Sequence, residues 1–464
     1  MHTLISNKIY ITNPSWAVSA YAYTELVVTN PTYDTLMRLG KQDQIARRRV
    51  PKDMYLFVDR GNELVLPIGV LPAIWNMIKD YPWKTEFNNH EPISCLNDKI
   101  TQPLFDYQEE AVRALLGAKS GILIGGCGSG KTNVGIETIR RIGKKFLWLC
   151  HTKDLCRQSY TRFKSLYPNM QIEITGDGQV KFGKDGTIAT IQTMEKLDPD
   201  LYRSEFDVVV VDEAHHVSGS PTLLKMFLKV IEKIPARYKF GLTATQDRND
   251  SLTKSMYATL GCDLTGKFEP VWKIDRSKIK TLIAERIEVS LDTPSSYDYL
   301  ESDGSFSYPK LIDYISADTK RNATIVELAK KCEAEGRKIL ILCNRISQCE
   351  ELHQKLVLLG SKSVLLVGKV TTKKRKEILE SKTEWNIIVG TISLAKEGLD
   401  VTKLDTLIWA GCIGNKSDTV QSAGRIERVC EGKKDPIVYD LIDKNIPYLV
   451  NRAKKRANWL KRRY

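Results

Sequence analysis

No stretch of this chain approaches the apolar length needed to cross a bilayer. Residues Met1 to Asn13 also lack a basic start followed by a long apolar run, so the sequence shows no secretory signal and no membrane partner is expected. The ten cysteines form no CxxC pair and no Cys/His cluster with zinc-ligand spacing. That argues against a disulfide scaffold or a zinc module. It points to reduced, buried thiols in a cytosol-like compartment, with Cys150 and Cys343 sitting in apolar runs. There is no internal repeat, no low-complexity tract and no nuclease motif.

What is present is a chain of 464 residues, 42% hydrophobic and 27% charged, the balance of a globular protein long enough for roughly two to four domains. Lysine and arginine exceed aspartate and glutamate by 70 to 56, giving a net charge of +14. This favours a polyanionic partner, although a basic enzyme or a peripheral membrane protein has the same balance.

Residues 1–100 read as a separate mixed module. Lys8–Thr12 and Tyr23–Val28 have strand character, Tyr55–Val58 and Leu64–Ile68 read as a hairpin turning at Asn62-Glu63, and Leu71–Tyr81 reads as a short helix. From about residue 104 apolar strands alternate with amphipathic helices, at Gly121–Ile124, Lys145–Cys150, Gly186–Thr190, Asp207–Val211 and Tyr238–Leu242. After an irregular connecting stretch, 266–316, a second series follows at Lys338–Leu342, Ser363–Val367, Asn386–Val389, Thr406–Trp409 and Pro436–Leu441. The alternation predicts α/β architecture, two tandem parallel-sheet lobes over 101–265 and 317–464, with a cleft between them and a small N-terminal α+β module.

Gly125-Gly-Cys-Gly-Ser-Gly130-Lys131-Thr132 matches GxxxxGK[ST] between a strand and a helix. Gly125, Gly128, Ser129 and Gly130 let backbone N–H groups curl round phosphate oxygens, and the helix N-terminus adds its dipole. Lys131 is expected to reach the β and γ phosphates of ATP, and Thr132 to ligate Mg2+. Downstream, Val208-Val-Val-Val211-Asp212-Glu213-Ala214-His215 is a buried strand that delivers two carboxylates at its C-terminal end. Asp212 suits the Mg2+ shell, and Glu213 suits activation of the attacking water.

Together these segments resemble helicase superfamily 2, and Asp212-Glu-Ala-His215 resembles its DEAH box. The resemblance extends in order over residues 104–430. Leu104-Phe-Asp-Tyr-Gln108 is similar to the segment whose glutamine reads adenine, with Phe105 where an arginine often stands, so adenine contact falls to Gln108. His151-Thr152-Lys153-Asp154-Leu155 and Thr190-Ile-Gln192-Thr193 resemble the two DNA-contacting motifs of the first lobe, and Thr243-Ala-Thr245 the coupling motif. In the second lobe Leu342-Cys-Asn344-Arg345, Thr391 to Gly398-Leu-Asp400, and Gln421-Ser-Ala-Gly-Arg425-Ile-Glu-Arg428 resemble the fourth, fifth and sixth motifs.

The resemblance implies two RecA-like lobes, with ATP and Mg2+ as cofactors. Gly398 and Asp400 would join the nucleotide site, and Thr152, Lys153, Gln192, Thr193, Asn344, Arg345 and Thr391 would contact DNA. His215, Thr243, Thr245 and Gln421 would couple the two. Arg425 and Arg428 stand three apart, so on a helix they share a face, and their planar guanidiniums suit the γ phosphate.

Finer detail resembles the XPB-like and UvsW-like groups. His216 follows the box, and Thr243-Ala-Thr-Gln-Asp-Arg248-Asn249-Asp250 is similar to their third-motif region, with Asn249 where the group has glutamate. The N-terminal module is similar to the front piece of phage-type members. The implied activity is unwinding and branch migration of forked, branched or single-stranded DNA in replication, recombination or repair. Replication or recombination proteins are the implied partners, in the host cytoplasm if a phage encodes the chain. Two alternatives stay open: a double-strand translocase subunit of a restriction or remodelling complex, and an RNA helicase. The basic tail from Asn451 to Tyr464 reads either as a phosphate-contacting, base-stacking element or as a solvated helix docked on the second lobe. Arg47-Arg48-Arg49 lean towards DNA contact, whereas 373–376 is a charge run of the ordinary solvated kind.

Overall fold

A central strand of a parallel sheet is buried on both faces, so every position must be apolar and preferably β-branched. Val208–Asp212 meets that demand, with all four valines fully buried. In the computed structural model it pairs in parallel with Phe146–Cys150 on one side and Tyr238–Thr243 on the other. The structure describes all residues except 127, 177–178, 218–220, 245–251, 276, 278–283, 368–384, 394–400, 428–431 and 462–464.

The chain divides into two units, Met1–Lys278 and Ile279–Tyr464. The main sheet of the first unit has seven strands in the order Ile172–Thr175, Gly186–Thr190, Phe146–Cys150, Val208–Asp212, Tyr238–Thr243, Ser120–Ile124 and Trp272–Lys273. Every pairing in it is parallel. A parallel pair needs a crossover connection, and between the neighbouring strands Val208–Asp212 and Tyr238–Thr243 helix Pro221–Ile231 provides it.

The second unit repeats the plan with six parallel strands: Glu285–Leu291, Ile437–Asp443, Thr406–Trp409, Ile339–Cys343, Ile387–Thr391 and Ser363–Leu366. These are the two α/β lobes the sequence predicts. The stretch 266–316, expected only to connect them, supplies Trp272–Lys273 to the first sheet and Glu285–Leu291 to the second.

The N-terminal module has its own five-stranded mixed sheet, built on the antiparallel pairing of Lys8–Thr12 with His2–Ile5 and with Glu63–Pro67. Two local expectations change. Tyr23–Val28 is not one strand: helix Trp16–Glu25 takes its first half and strand Val27–Thr29 its end. Ser15 supplies the missing signal, since its side chain accepts from Val18 N as an N-cap. The expected hairpin strand Tyr55–Val58 is divided too, with Asp53–Tyr55 pairing to Val27–Thr29 and Val58–Asp59 to Glu63–Pro67.

The module shares one continuous core with the first lobe, joining Ile9, Leu66 and Ile74 to Ile122, Val209 and Tyr257. Gly69 marks a close approach of the two backbones. A Cβ there would lie 2.5 Å from the carbonyl oxygens of Ala258 and Tyr257, and Gly69 O accepts from Cys262 N at 2.9 Å. Lys239 is 1% exposed and donates to Asn7 O and Ile231 O, both at 3.3 Å, so a buried cation joins the module to the last core strand of the lobe. Burial, reinforced by the charge of Lys8 and only partly offset by Glu232, lowers its pKa from 10.5 to about 7.

The eight described cysteines are all buried free thiols. Among the described residues no helix is long and apolar enough to cross a membrane.

Candidate functional site

Strand Ser120–Ile124 ends at Gly125, and helix Lys131–Ile142 begins six residues later. The turn between them needs left-handed backbone at Gly128 (φ 80°) and Gly130 (φ 74°). At Gly130 a Cβ would also meet Gln108 Nε2 at 2.2 Å. Gln108, 3% exposed, braces the loop from helix Asp106–Ala118: its Nε2 donates to Ser129 O at 3.0 Å and its Oε1 accepts from Phe105 N at 3.1 Å. The loop is pinned at its other end by Gly125 N, which donates to Thr243 O at 3.0 Å.

Lys131 Nζ donates to Gly125 O at 2.9 Å, so the ammonium already lies across the loop. Ser129 Oγ is buried without a hydrogen-bond partner among the described residues. Thr132, half-buried, occupies the second position of the helix. A concave run of backbone, an ammonium, a free hydroxyl and a helix N-terminus suit a triphosphate.

Two carboxylates share this end of the sheet. Asp212 is buried, and its Oδ1 accepts from Glu213 N at 3.0 Å. Burial and the neighbouring Glu213 push the Asp212 carboxyl well above the usual carboxylate range, against the pull of Lys131. Burial also acts to raise Glu213, but the hydrogen bond from His215, with the charges of Lys131, His215 and His216, outweighs it and holds that carboxyl low. Asp212 pairs with Leu242, next to the Thr243 whose carbonyl holds Gly125 N, so the loop and the acidic pair meet at the ends of adjoining strands. Glu213 adopts left-handed backbone (φ 51°, ψ 52°), a conformation that non-glycine residues hold only when their surroundings enforce it. An acid raised towards neutrality by burial and like charge is the normal state of a site built to hold a divalent cation, so the donor set fits Mg2+.

His215 connects this pair to the strand beside it. Its Nδ1 lies 3.2 Å from Glu213 Oε2 and 3.2 Å from Thr243 Oγ1. The sequence marks His216 only as the residue after the box and His151 only as the first residue of the Thr152 motif. The structure stacks them, with ring centroids 4.1 Å apart and planes within 15°, and sets the His216 ring 4.3 Å from that of His215. Burial and the charge of His215 lower the His151 pKa. An unbroken series of imidazoles therefore runs from Glu213 to His151, the residue before Thr152. No spacing rule joins positions 151 and 216; only the parallel pairing of their strands does so.

The other expected nucleic-acid residues of the first unit lie at helix starts on the C-terminal edge of the sheet. Thr152 caps helix Lys153–Leu166 by accepting from Leu155 N at 3.3 Å, and Lys153 is exposed at its first position. Thr190 Oγ1 accepts from Thr193 N at 3.2 Å, opening helix Ile191–Lys196, on which Gln192 and Thr193 are half-buried. The sequence also gave no role to the brace behind the loop. Arg141 holds Glu109 at 2.6 and 2.7 Å and Glu137 at 2.6 Å, tying the helix that carries Gln108 to the helix that carries Lys131.

In the second unit the side chain of half-buried Asn344 holds the backbone of Cys412. Its Oδ1 accepts from Cys412 N at 2.5 Å and its Nδ2 donates to Cys412 O at 3.3 Å. Arg345 is likewise bound, to Asp313 Oδ1 at 2.6 Å and Pro309 O at 3.3 Å. Thr391 is half-buried at the end of its strand, 2.8 Å from Ser393 Oγ. Gln421 and Arg425, both half-buried, lie on helix Lys416–Ile426. Thr245, Gly398, Asp400 and Arg428 lie outside the described residues, as do 373–376 and the last three residues.

The basic tail is a docked helix, Pro447–Lys461, with Leu449, Ala453, Arg456 and Leu460 buried. Arg456 pairs with the buried Asp440 at 2.6 Å, and Lys454 and Lys455 stay exposed. Arg47, Arg48 and Arg49 are exposed at the end of helix Gln42–Arg48.

Two family models match the chain. Residues 101–248 match the type III restriction enzyme res subunit family, and residues 319–430 match the helicase conserved C-terminal domain. Among curated relatives, "Putative ATP-dependent RNA helicase L396" of Acanthamoeba polyphaga mimivirus is 25% identical over 76% of this chain and 66% of its own length. "Probable helicase D10" of Escherichia phage T5 is 27% identical over 70% of this chain and 68% of its own. The XPB helicase/translocase subunit of general transcription and DNA repair factor IIH from Schizosaccharomyces pombe is 25% identical over 82% of this chain and 49% of its own. The chain thus spans about two thirds of the two viral relatives and about half of the yeast one.

Proposed function

From the premise that the chain belongs to helicase superfamily 2, as an ATP-dependent helicase or translocase, we propose that it is a DNA motor acting on forked or branched substrates. The observation that carries the catalytic half of this reading is the juxtaposition of the 125–131 turn and the pair Asp212 and Glu213 at one end of the sheet, where Asp212 pairs with Leu242 and Gly125 N donates to Thr243 O at 3.0 Å.

In the proposed cycle Gly125 to Gly130 and Lys131 bind the phosphates, and Thr132 and Asp212 hold Mg2+. Gln108, in addition to its loop contact, orients adenine, and Gly398 and Asp400 complete the nucleotide site. Bound Mg2+ would neutralise charge on the phosphate oxygens. Glu213, kept ionised by His215, accepts the proton of the attacking water as its oxygen bonds to the γ phosphorus and the bond to the β-γ bridging oxygen breaks. Arg425 and Arg428 of the second unit stabilise the charge that develops. His215, Thr243, Thr245 and Gln421 pass the nucleotide state on to the strand-gripping segments around Thr152, Lys153, Gln192, Thr193 and Thr391. Asn344 and Arg345, which also hold the Cys412 backbone and Asp313, contact the strand at the same surface.

DNA is favoured over RNA by the XPB relatives, whose names assign them to DNA repair and translocation. The mimivirus relative carries an RNA helicase name and keeps RNA as the second reading. A comparison of ATP turnover with forked DNA, four-way junctions, duplex DNA and RNA tests the substrate. Greatest stimulation by forks or junctions is expected, and RNA as the strongest activator would overturn the DNA assignment.

A further inference from the structure

The second unit holds a pocket of about 810 Å³, within the range of small-ligand sites, that the ATP site does not use. Its wall combines Tyr308 and Tyr448 with Arg452 and the hydroxyl pair of Thr391 and Ser393.

Arg452 is a half-buried cation whose contacts are all to neutral groups. Its Nε and Nη2 donate to Tyr448 Oη at 3.1 and 2.7 Å, and its Nη1 donates to Gly414 O at 2.5 Å. Among the described residues it has no carboxylate in ion-pair range. The carboxylate among the lining residues, Asp418, is engaged at its helix N-terminus, accepting from Asn415 Nδ2 at 2.9 Å. Tyr448 and Gly414 therefore fix the orientation of the guanidinium without neutralising it. A fixed, uncompensated guanidinium calls for an anion.

The anion has an aromatic companion. Tyr308 is 37% exposed and Phe306 45% exposed, and the Tyr448 ring packs 4.7 Å from Phe306 and 5.9 Å from Tyr308. Exposed aromatic faces beside a fixed cation match the two demands of a nucleotide unit, a phosphate to pair and a base to stack.

We propose that this pocket is a subsite for one nucleotide of a single strand, with its phosphodiester on Arg452 and its base against Tyr308. The inference rests on the nucleic-acid reading above and adds a position where the strand is held by its base as well as its backbone.

The test is salt-dependent binding of a fluorescein-labelled oligothymidylate and of an abasic strand of equal length. Arg452→Gln is expected to lower the slope of log affinity against log salt by about 0.7, the value of one single-strand phosphate. Tyr308→Leu is expected to weaken oligothymidylate binding about tenfold and to leave the abasic strand unaffected. A loose structural defect would not separate the two strands or change the slope by one phosphate. An unchanged slope in Arg452→Gln, or equal loss on both strands in Tyr308→Leu, overturns the proposal. Because Tyr308 is exposed, its variant carries the test even if Arg452→Gln fails to fold. Competition by thymidine monophosphate would assign the pocket to a free nucleotide and equally overturn the strand reading. If the wild type binds neither strand, the motor reading itself fails, which is a different outcome from a silent pocket.

Discussion

His215 Nδ1 lies 3.2 Å from the hydroxyl of Thr243, on the strand whose last carbonyl accepts from the first amide of the phosphate loop. The same nitrogen lies 3.2 Å from Glu213 Oε2, so one imidazole touches both the carboxylate proposed to activate water and the strand that ends on Thr243. A hydrogen bond to a charged group contributes about 1.5–3 kcal/mol, enough for a ten- to hundredfold effect on a rate. His215→Ala is expected to retain nucleotide binding and to lose about that much of the DNA-stimulated turnover. Without this hydrogen bond the Glu213 carboxyl titrates at higher pH, so the acid limb of the rate profile moves upward. A pH–rate profile of the variant checks this, and an unmoved acid limb would count against the Glu213–His215 assignment.

The His151–His216 stack should act through ring contact rather than through charge. His216→Phe is expected to preserve DNA-stimulated hydrolysis, whereas His216→Ala reduces it while leaving hydrolysis in the absence of DNA close to its starting level. Equal behaviour of the two variants in a stimulated ATPase assay would reduce the stack to packing.

Asp212 sits in the site at a cost to stability. Its folded pKa is raised, by burial and by Glu213, from 3.8 to about 7. The folded state therefore binds more protons than the unfolded one between those values, and stability falls as pH rises through that window. Asp212→Asn should melt at a higher temperature than the wild type at about pH 8, without nucleotide or Mg2+, and the gain should vanish towards about pH 4. The same variant should be hydrolytically inactive. Thermal melts across pH check the sign, and a lower melting temperature at pH 8 would show that the carboxylate stabilises the fold.

Lys239 has the opposite linkage. Its pKa falls on folding to about 7, so between about 7 and 10.5 the unfolded chain binds more protons and stability rises with pH. Lys239→Met is expected to raise the melting temperature at pH 7, with the difference shrinking towards pH 10 as the wild-type penalty disappears. A variant destabilised at every pH would mean that the bonds to Asn7 O and Ile231 O outweigh the desolvation.

The parallel lobes were legible because a strand buried on both faces leaves a continuous apolar run, as in Val208–Asp212 and Ile339–Cys343. Edge strands were harder. Glu285–Leu291 alternates Ile287, Val289 and Leu291 with charged and polar residues, a pattern hidden inside a segment rich in turn-forming residues. The phosphate loop and acidic pair were readable because each is contiguous in sequence. The His151–His216 stack, the Arg141 brace and the Arg452 pocket join residues far apart in the chain, and no local period announces them. Asn344 shows another limit: its motif is visible in the sequence, but its bonds to the backbone of Cys412, 68 residues away, are not.

The most direct test is steady-state ATP hydrolysis by the wild type, Lys131→Ala and Glu213→Gln, each with and without forked DNA. The account predicts strong stimulation of the wild type and a loss of several orders of magnitude in both variants, with melting curves that still show a folded protein. Turnover close to wild type in either variant would contradict it.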